Sequence, residues 1–423
     1  MAKKLVAGLL ACSLIAAAGW AGEPTTGTIA PGTVITAQNW RQYKDFMPVG
    51  LQKILQGDTI WRLPQGWEME VGATVDYPLP RAYWDATEKY RNQARLVPLP
   101  TGGYTIQGYN SGAPFPDYSG TLAGYKILYN VYYHYPGEIN YFTSFSPEVD
   151  RYLNATVFTA FGIYARIAHG VHPGFSHERE MPGYYEAFYG EVLTPEQEKY
   201  TASDELIFDD PNTVPEFYVF VPALRRALRL SGGARCAPYL GTDYVGDDVF
   251  GYIPLPVGWF NARFQGHRKM LMFRPEPGNR AQFDSKNFYP PIWFPKPVVG
   301  KWQLFDALVV DVTRVPSLQK GYCYGLRRMY VDPRSWVPQY VDLWDSSMKF
   351  WKMAAALESP HPVPGGGFLI NVRGVNWIID FQNLHASIAV VGKDTFAVNE
   401  EVPEQYRDLS RYGSPAGLQK ILQ

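Results

Sequence analysis

Residues Tyr322 to Lys352, which read YCYGLRRMYVDPRSWVPQYVDLWDSSMKFWK, give the strongest indication of the fold. They contain three runs rich in aromatic and β-branched residues. Asp332 to Ser335 separate the first two runs, and Asp345 to Ser347 separate the last two. Asp and Ser side chains bond the nearby backbone in turns, so the pattern predicts a three-stranded antiparallel meander.

Both faces of this meander are apolar or aromatic. Side chains alternate between the two faces of a strand. The first face has Trp336, Tyr340 and Trp344, and the second has Val337, Val341 and Leu343. A sheet with one face in water shows polar residues at every second position, so we expect protein or a bound apolar molecule to cover each face. Pro338 cannot donate to a strand ladder and indicates an edge or a bulge.

The composition favours a turn-rich, mostly β protein. Of 423 residues, 46% are hydrophobic and 15% aromatic, and 39 Gly and 35 Pro imply many turns. The 39 basic residues balance 40 acidic ones, which argues against nucleic acid as a partner. We expect a single large domain over residues 22–423, with a helix-containing part at 22–200, the main antiparallel sheet at 201–400 and a tail at 401–423.

The N-terminus has the pattern of a secretory signal peptide, assigned to residues 1–21. Lys3 and Lys4 precede an apolar run from Leu5 to Ala18, and small residues near Ala21 suit cleavage. An alternative is a lipoprotein signal at Cys12, although the apolar run continues past that cysteine. The predicted location is therefore the periplasm, either free or in association with the outer membrane.

Two cysteines remain after signal removal. Cys236 and Cys323 either form one disulfide, which an oxidising compartment allows, or stay as two separate buried thiols. The sequence does not decide between these alternatives.

Local patterns add secondary structure before the meander. Residues 37–56 predict two short amphipathic helices that break at Pro48. Ala123 to Asn130 follow a Gly- and Pro-rich loop and predict a strand that continues through Tyr133. From Phe217 onwards, closely spaced strand patterns predict a large antiparallel set.

Several spaced segments resemble the family called domain of unknown function 1329, from Gram-negative bacteria. They are Asn110 to Asn130, Val221 to Ala227, Gly241 to Asp243 with Asp247 and Asp248, and Tyr330 to Asp345. This family is related to the periplasmic lipoprotein carriers LolA and LolB. The resemblance implies a mostly β (α+β) fold: a large curved antiparallel sheet, an incomplete barrel, with helices packed in its concavity and an apolar cavity between. The resemblance implies no cofactor.

The resemblance also implies a function. A periplasmic carrier or binding protein for a lipid, acyl chain or sterol-like ligand would serve transport between the membranes. Related proteins are often encoded beside an exporter of the resistance-nodulation-division type and an outer-membrane protein, which are the expected partners. This chain is much longer than the true carriers, so lipoprotein itself is a doubtful cargo.

We predict ligand contacts from two sets of residues. The aromatic set is Trp302, Phe305, Tyr324, Trp336, Tyr340, Trp344, Phe350 and Trp351, and the competing interpretation, which is favoured for each residue taken singly, is an ordinary position in the core. The cationic set is Arg225, Arg226 and Arg229, which could hold an anionic headgroup or lie on a solvated strand face.

The alternative hypothesis is a zinc hydrolase. His169, His172, His177 and Glu178 offer ligand types that bind zinc, but Pro173 and Gly174 interrupt the helical spacing of zinc proteases. A surface loop rich in histidine is the competing interpretation. A third hypothesis is a non-enzymatic accessory of an outer-membrane complex.

Overall fold

The structure is a computed structural model that describes residues 27–57, 59–230, 235–248, 251–277 and 282–422. The predicted signal peptide, residues 1–21, and Cys12 lie outside these ranges. No helix among the described residues is long and apolar enough to cross a membrane.

Strands account for most of the regular structure. They are β1 (Val34–Thr36), β2 (Glu68–Glu70), β3 (Arg95–Pro98), β4 (Tyr104–Gln107), β5 (Ile139–Val149), β6 (Ala155–Arg166), β7 (Tyr184–Thr194), β8 (Ala202–Phe208), β9 (Glu216–Val221), β10 (Arg226–Arg229), β11 (Phe260–Arg274), β12 (Phe288–Tyr289), β13 (Phe294–Pro295), β14 (Lys301–Arg314), β15 (Tyr324–Asp332), β16 (Val337–Asp345), β17 (Phe350–Pro362), β18 (Phe368–Asp380) and β19 (His385–Val398). The α-helices are α1 (Val49–Gln56), α2 (Arg81–Lys89), α3 (Ala123–Tyr132), α4 (Leu409–Tyr412) and α5 (Pro415–Leu418).

One sheet organises the molecule. Thirteen strands follow the order β10-β9-β8-β7-β6-β5-β19-β18-β17-β16-β15-β14-β11, and every neighbouring pair is antiparallel. The sheet does not close, because β10 and β11 are its two edges. The predicted fold class, mostly β with an incomplete barrel, is confirmed. The sheet joins strands from both the 22–200 and the 201–400 parts, and the assignment of a single domain remains a prediction.

The predicted meander is β15-β16-β17, in the interior of the sheet. Pro338 lies at a bulge, since Tyr330 pairs with Tyr340 while Val331 pairs with Pro338, so that Gln339 is the extra residue. Because of the bulge, the predicted alternation of side chains between the two faces is wrong for Trp336. Trp336 precedes it in the turn with φ 61° and packs on the face of Val341, opposite to Tyr340.

Protein covers both faces of the meander, as predicted. On β17, Ala354 and Ala356 pack on the face that carries α3, while Met353 and Ala355 pack on the face that carries α1. The two helices predicted at 37–56 are confirmed as a 3₁₀ helix at Trp40–Phe46 and α1, with the break at Pro48. Helices therefore lie against both faces of the sheet.

The strand predicted at residues 123–133 is wrong, because this segment forms α3. Its aromatic and β-branched residues favour a strand when considered locally. In the structure, however, Ile127, Leu128, Tyr129 and Val131 are fully buried. Burial against the sheet outweighs the weak local preference.

The open question about the cysteines has an answer in the structure. Cys236 and Cys323 form a disulfide, with their Cα atoms 5.7 Å apart and a sequence separation of 87. It ties the loop before Asp243 to the start of β15. The tail, 401–423, contains α4 and α5, whose Leu409 and Leu418 pack against the β7-β9 region.

Candidate functional site

A cavity of about 640 Å³ lies over the β5-β8 part of the sheet. We call it the β5-β8 cavity. Its floor consists of the side chains at every second position of three neighbouring strands. They are Asn140, Phe142, Ser144, Ser146 and Glu148 on β5, Thr156, Phe158, Ala160, Gly162 and Tyr164 on β6, and Glu186, Phe188 and Gly190 on β7. The volume is within the roughly 300–1,000 Å³ that is usual for small-molecule sites.

Small residues create the space above the floor. Ser144 pairs directly with Ala160, and Gly162 pairs directly with Gly190. Four neighbouring positions therefore have side chains no larger than a hydroxymethyl group. The ring of Phe142 lies over Gly162, where an added Cβ would stand only 2.5 Å from its Cζ atom. The result is a floor in which aromatic rings alternate with gaps.

The loop at residues 239–244 covers the cavity from the opposite side. The hydroxyl of Tyr239 donates to Ser203 Oγ on β8 at 2.5 Å, and the ring of Tyr239 contacts Phe217. At the other end of the loop, the carbonyl of Asp243 accepts from Lys352 Nζ at 2.6 Å. The loop is therefore fixed to the sheet on both sides of the cavity.

A cluster of polar side chains fixes the loop to β19. His385 Nδ1 and Asp243 Oδ2 are 2.6 Å apart, and Ser387 Oγ donates to Glu148. The hydrogen bond with Asp243 raises the pKa of His385, and burial raises the pKa of Glu148 to about 8. The ligand atoms of Glu148, Asp243 and His385 lie within 4.8 Å of one another, so these residues could also hold a metal ion.

The end of α3 forms one wall, together with a buried ion pair. Tyr132, His134 and Pro136 line the cavity there. Arg166, which is 2% exposed, lies 3.2 Å from Glu186 and donates to the hydroxyl of Tyr185 at 2.6 Å. The charge of Glu186 is thus balanced inside the wall.

None of the eight predicted aromatic contacts lines this cavity. Trp302, Phe305 and Tyr340 belong to the core on the α1 face, and Tyr324 and Trp336 belong to the core on the α3 face. The remaining three are partly buried: Trp344 and Phe350 pack edge to face, and Trp351 donates to Asp380 at 2.7 Å. All eight lie in the other part of the sheet.

The predicted arginine set is also separate from the cavity. Arg225, Arg226 and Arg229 are exposed at the turn and edge strand formed by β9 and β10. Arg229 donates to Glu216 at 2.8 Å. This placement agrees with the competing interpretation of a solvated strand face.

The histidines proposed for zinc do not converge. Among the described residues, no three of His169, His172, His177 and Glu178 have ligand atoms close enough to share an ion. His169 instead bonds the carbonyl of Asn110 at 2.6 Å and Asp209 at 2.7 Å, and His177 bonds Glu180 at 2.7 Å. The structure therefore does not bring these residues together, and the zinc site stays an untested hypothesis.

Sequence reasoning missed the cavity because it looked for aromatic side chains. The relevant pattern is an alternation in which Ser, Ala and Gly interrupt aromatic residues at every second position. Phe142, Ser144 and Ser146 show it on β5, and Phe158, Ala160 and Gly162 show it on β6. Small residues that are clustered on one face of neighbouring strands indicate space rather than packing.

Comparison with solved structures gives similarities at low sequence identity. A DUF1329 family protein from Desulfovibrio piger has 11% identity and a TM-score of 0.47, over 69% of this chain and 98% of that one. A domain from Vibrio parahaemolyticus, whose name refers to outer membrane lipoprotein sorting, has 10% identity and a TM-score of 0.44, over 64% and 90%. A LolA superfamily protein from Nitrosomonas europaea has 11% identity and a TM-score of 0.37, over 67% and 96%.

No functionally curated protein gives a significant match to the chain. The family model described as "Protein of unknown function (DUF1329)" matches residues 34–415, which is most of the sequence. The chain therefore belongs to the DUF1329 family.

Proposed function

We propose that this protein binds a hydrophobic small molecule in the β5-β8 cavity and acts as a non-enzymatic carrier or binding protein. The observation that carries the proposal is a cavity of about 640 Å³ with aromatic, aliphatic and small residues over most of its lining. Each 100 Å² of apolar ligand surface that leaves water contributes about 2.5 kcal/mol, and this needs no directional partner. A lipid, an acyl chain or a sterol-like molecule has such a surface.

Relationship to lipoprotein-sorting proteins supports a role in transport between membranes. The predicted signal peptide supports a periplasmic location, either free or at the outer membrane. The proposed partners are an inner-membrane exporter of the resistance-nodulation-division type and an outer-membrane protein. This part of the proposal depends on the family resemblance and on residues 1–21.

The first test is to identify the occupant of the cavity. Protein purified from the periplasm is examined by native mass spectrometry, with lipid extraction and metal analysis of the same sample. We expect a stoichiometric lipid or sterol-like adduct. Bound zinc without lipid would favour a hydrolase, and neither lipid nor metal would favour an accessory role.

A matched pair of variants ties the adduct to the cavity. Ala160→Phe places a ring in the cavity and should abolish the adduct or reduce it at least tenfold. Val157→Phe adds the same ring on β6, at a position that is 46% exposed and absent from the cavity lining. Equal lipid content in both folded variants would contradict binding at this site.

A further inference from the structure

One end of the large sheet carries exposed apolar side chains on its turns. Because neighbouring strands are antiparallel, the connections that follow β5, β7, β9, β14, β16 and β18 all lie at this end. Four of these connections expose large apolar side chains, which are Tyr152 (79% exposed), Leu153, Tyr200, Leu224 and Met348 (55% exposed). Among the described residues, the connections between neighbouring strands at the opposite end expose one, Val298. We call the turns at 150–154, 195–201, 222–225 and 346–349 the hairpin rim.

Each turn of the hairpin rim also has a basic residue next to its apolar one. The four basic residues are Arg151, Lys199, Arg225 and Lys349. The Nζ atom of Lys199 lies 5.2 Å from the centre of the Tyr200 ring, so this cation and this ring point the same way. Tyrosine beside a cation is typical of the surface layer of a bilayer, where the ring lies among the headgroups and the cation meets phosphate.

Net charge alone does not give the hairpin rim a partner. Its four cations are accompanied by three carboxylates, those of Asp150, Glu196 and Glu198. Asp150 accepts from two backbone N–H groups of its own turn, and Glu196 pairs with Lys199 at 3.4 Å. The exposed apolar side chains therefore have to supply most of the attachment to any partner.

The apolar side chains of the hairpin rim are separate points rather than one patch. The β5-β6, β7-β8 and β9-β10 hairpins are neighbours in the sheet, so their turns are two strand spacings apart, which is roughly 10 Å. A stable protein interface needs a continuous core with a complementary shape. The surface layer of a bilayer accepts separate aromatic and aliphatic side chains, each with its own cation. The arrangement therefore fits a lipid surface better than a protein.

The β5-β8 cavity reaches the same end of the sheet. Thr156 lies two residues after the first turn of the hairpin rim, and Glu198 and Thr201 belong to the second turn; all three line the cavity. We propose that the hairpin rim docks on the surface of a phospholipid bilayer, with its apolar side chains among the headgroups. This docking surface goes beyond ligand binding, and it places one end of the cavity against the bilayer.

The test measures binding to vesicles of phosphatidylethanolamine and phosphatidylglycerol by flotation. Leu153→Ser with Leu224→Ser removes apolar side chains that are 41% and 52% exposed. We expect this double variant to lower the partition coefficient at least about fivefold, because less apolar surface leaves water on docking.

The matched control is Val75→Ser with Val298→Ser, whose side chains are 41% and 54% exposed. Both lie at the opposite end of the sheet, where the carbonyl of Val75 accepts from Arg334 in the β15-β16 turn. This pair should keep the partition coefficient within about twofold of the unmodified protein. Equal losses in the two double variants, or no vesicle binding by the unmodified protein, would overturn the docking surface. Neither result bears on the proposed function, which the lipid adduct and the Ala160→Phe variant test separately.

Discussion

The two parts of the large sheet differ in the size of their side chains. In the β14-β18 part, large residues fill both faces. Leu308, Met329 and Val341 pack on one face, and Tyr330 and Tyr340 pack on the other. In the β5-β8 part, one face packs against α4 and α5, while the other opens into the cavity. Both parts have the same antiparallel hydrogen bonding. Small side chains also occur in the β14-β18 part, where Ala354, Ala355 and Ala356 are buried, so a cavity needs both small side chains and a face that other elements leave uncovered.

Both parts contain buried ionisable side chains. Near the β14-β18 part, two buried carboxylates are paired with arginines: Arg327 lies 3.1 Å from Asp248, and Arg274 lies 2.9 Å from Asp332. In the β5-β8 part, burial raises the pKa of Glu148 to about 8, because the hydrogen bond from Ser387 and the charge of His385 only partly offset its desolvation. The β5-β8 part also contains a buried ion pair, because Arg166 lies 3.2 Å from Glu186.

The largest effect is expected where a buried pair of the packed part is broken. Arg327 is 2% exposed and also donates to the carbonyl of Tyr252 at 2.7 Å. Arg327→Met leaves the buried Asp248 carboxylate without its cation. We expect a loss of about 3–5 kcal/mol in the free energy of unfolding, measured by urea denaturation.

The matched control is Arg226→Met, which removes the same charge at an exposed position on β10. It should change stability by less than about 0.5 kcal/mol. If both variants were equally stable, the buried ion pair would not contribute to the packed part as we describe.

The features that were predictable from the sequence are those set by local patterns. The meander followed from aromatic runs and Asp-rich turns, and the bulge followed from Pro338. Trp336 was misplaced because one extra residue, Gln339, reverses the alternation. The strand predicted over α3 failed because burial against distant strands outweighed its local preference.

The candidate site was less predictable. The cavity depends on pairs such as Ser144 with Ala160 and Gly162 with Gly190, which are 16 and 28 residues apart. A single sequence shows that these residues are small but does not show that they are neighbours. The loop that covers the cavity is harder still to predict, because Asp243 contacts His385 at a sequence separation of 142.

A smaller effect on stability is expected when alanine is replaced by leucine. The same substitution is made once in each part of the sheet, and the two costs are compared. Ala354→Leu adds three carbons on β17, where Ala354 is fully buried, and overpacking there should cost about 1–3 kcal/mol. Ala160→Leu adds the same atoms on β6, where the side chain can extend into the cavity. We expect it to change the free energy of unfolding by less than about 1 kcal/mol, as measured by urea denaturation. Equal costs would mean that the cavity is not open space in solution.

The smallest effect tests the floor of the cavity itself. Gly162 and Gly190 face each other across β6 and β7, and neither has a positive φ. A Cβ at Gly190 would be 3.5 Å from Ser203 Oγ, which is ordinary contact, whereas a Cβ at Gly162 would be 2.5 Å from Phe142 Cζ. Gly190→Ala should therefore stabilise the protein by about 0.4–1 kcal/mol, because alanine restricts the unfolded chain. Gly162→Ala should give less or none of this gain, since the Phe142 ring must move into the cavity. Thermal unfolding of the two variants decides the matter: an equal gain at both positions would show that the Phe142 ring does not lie over Gly162.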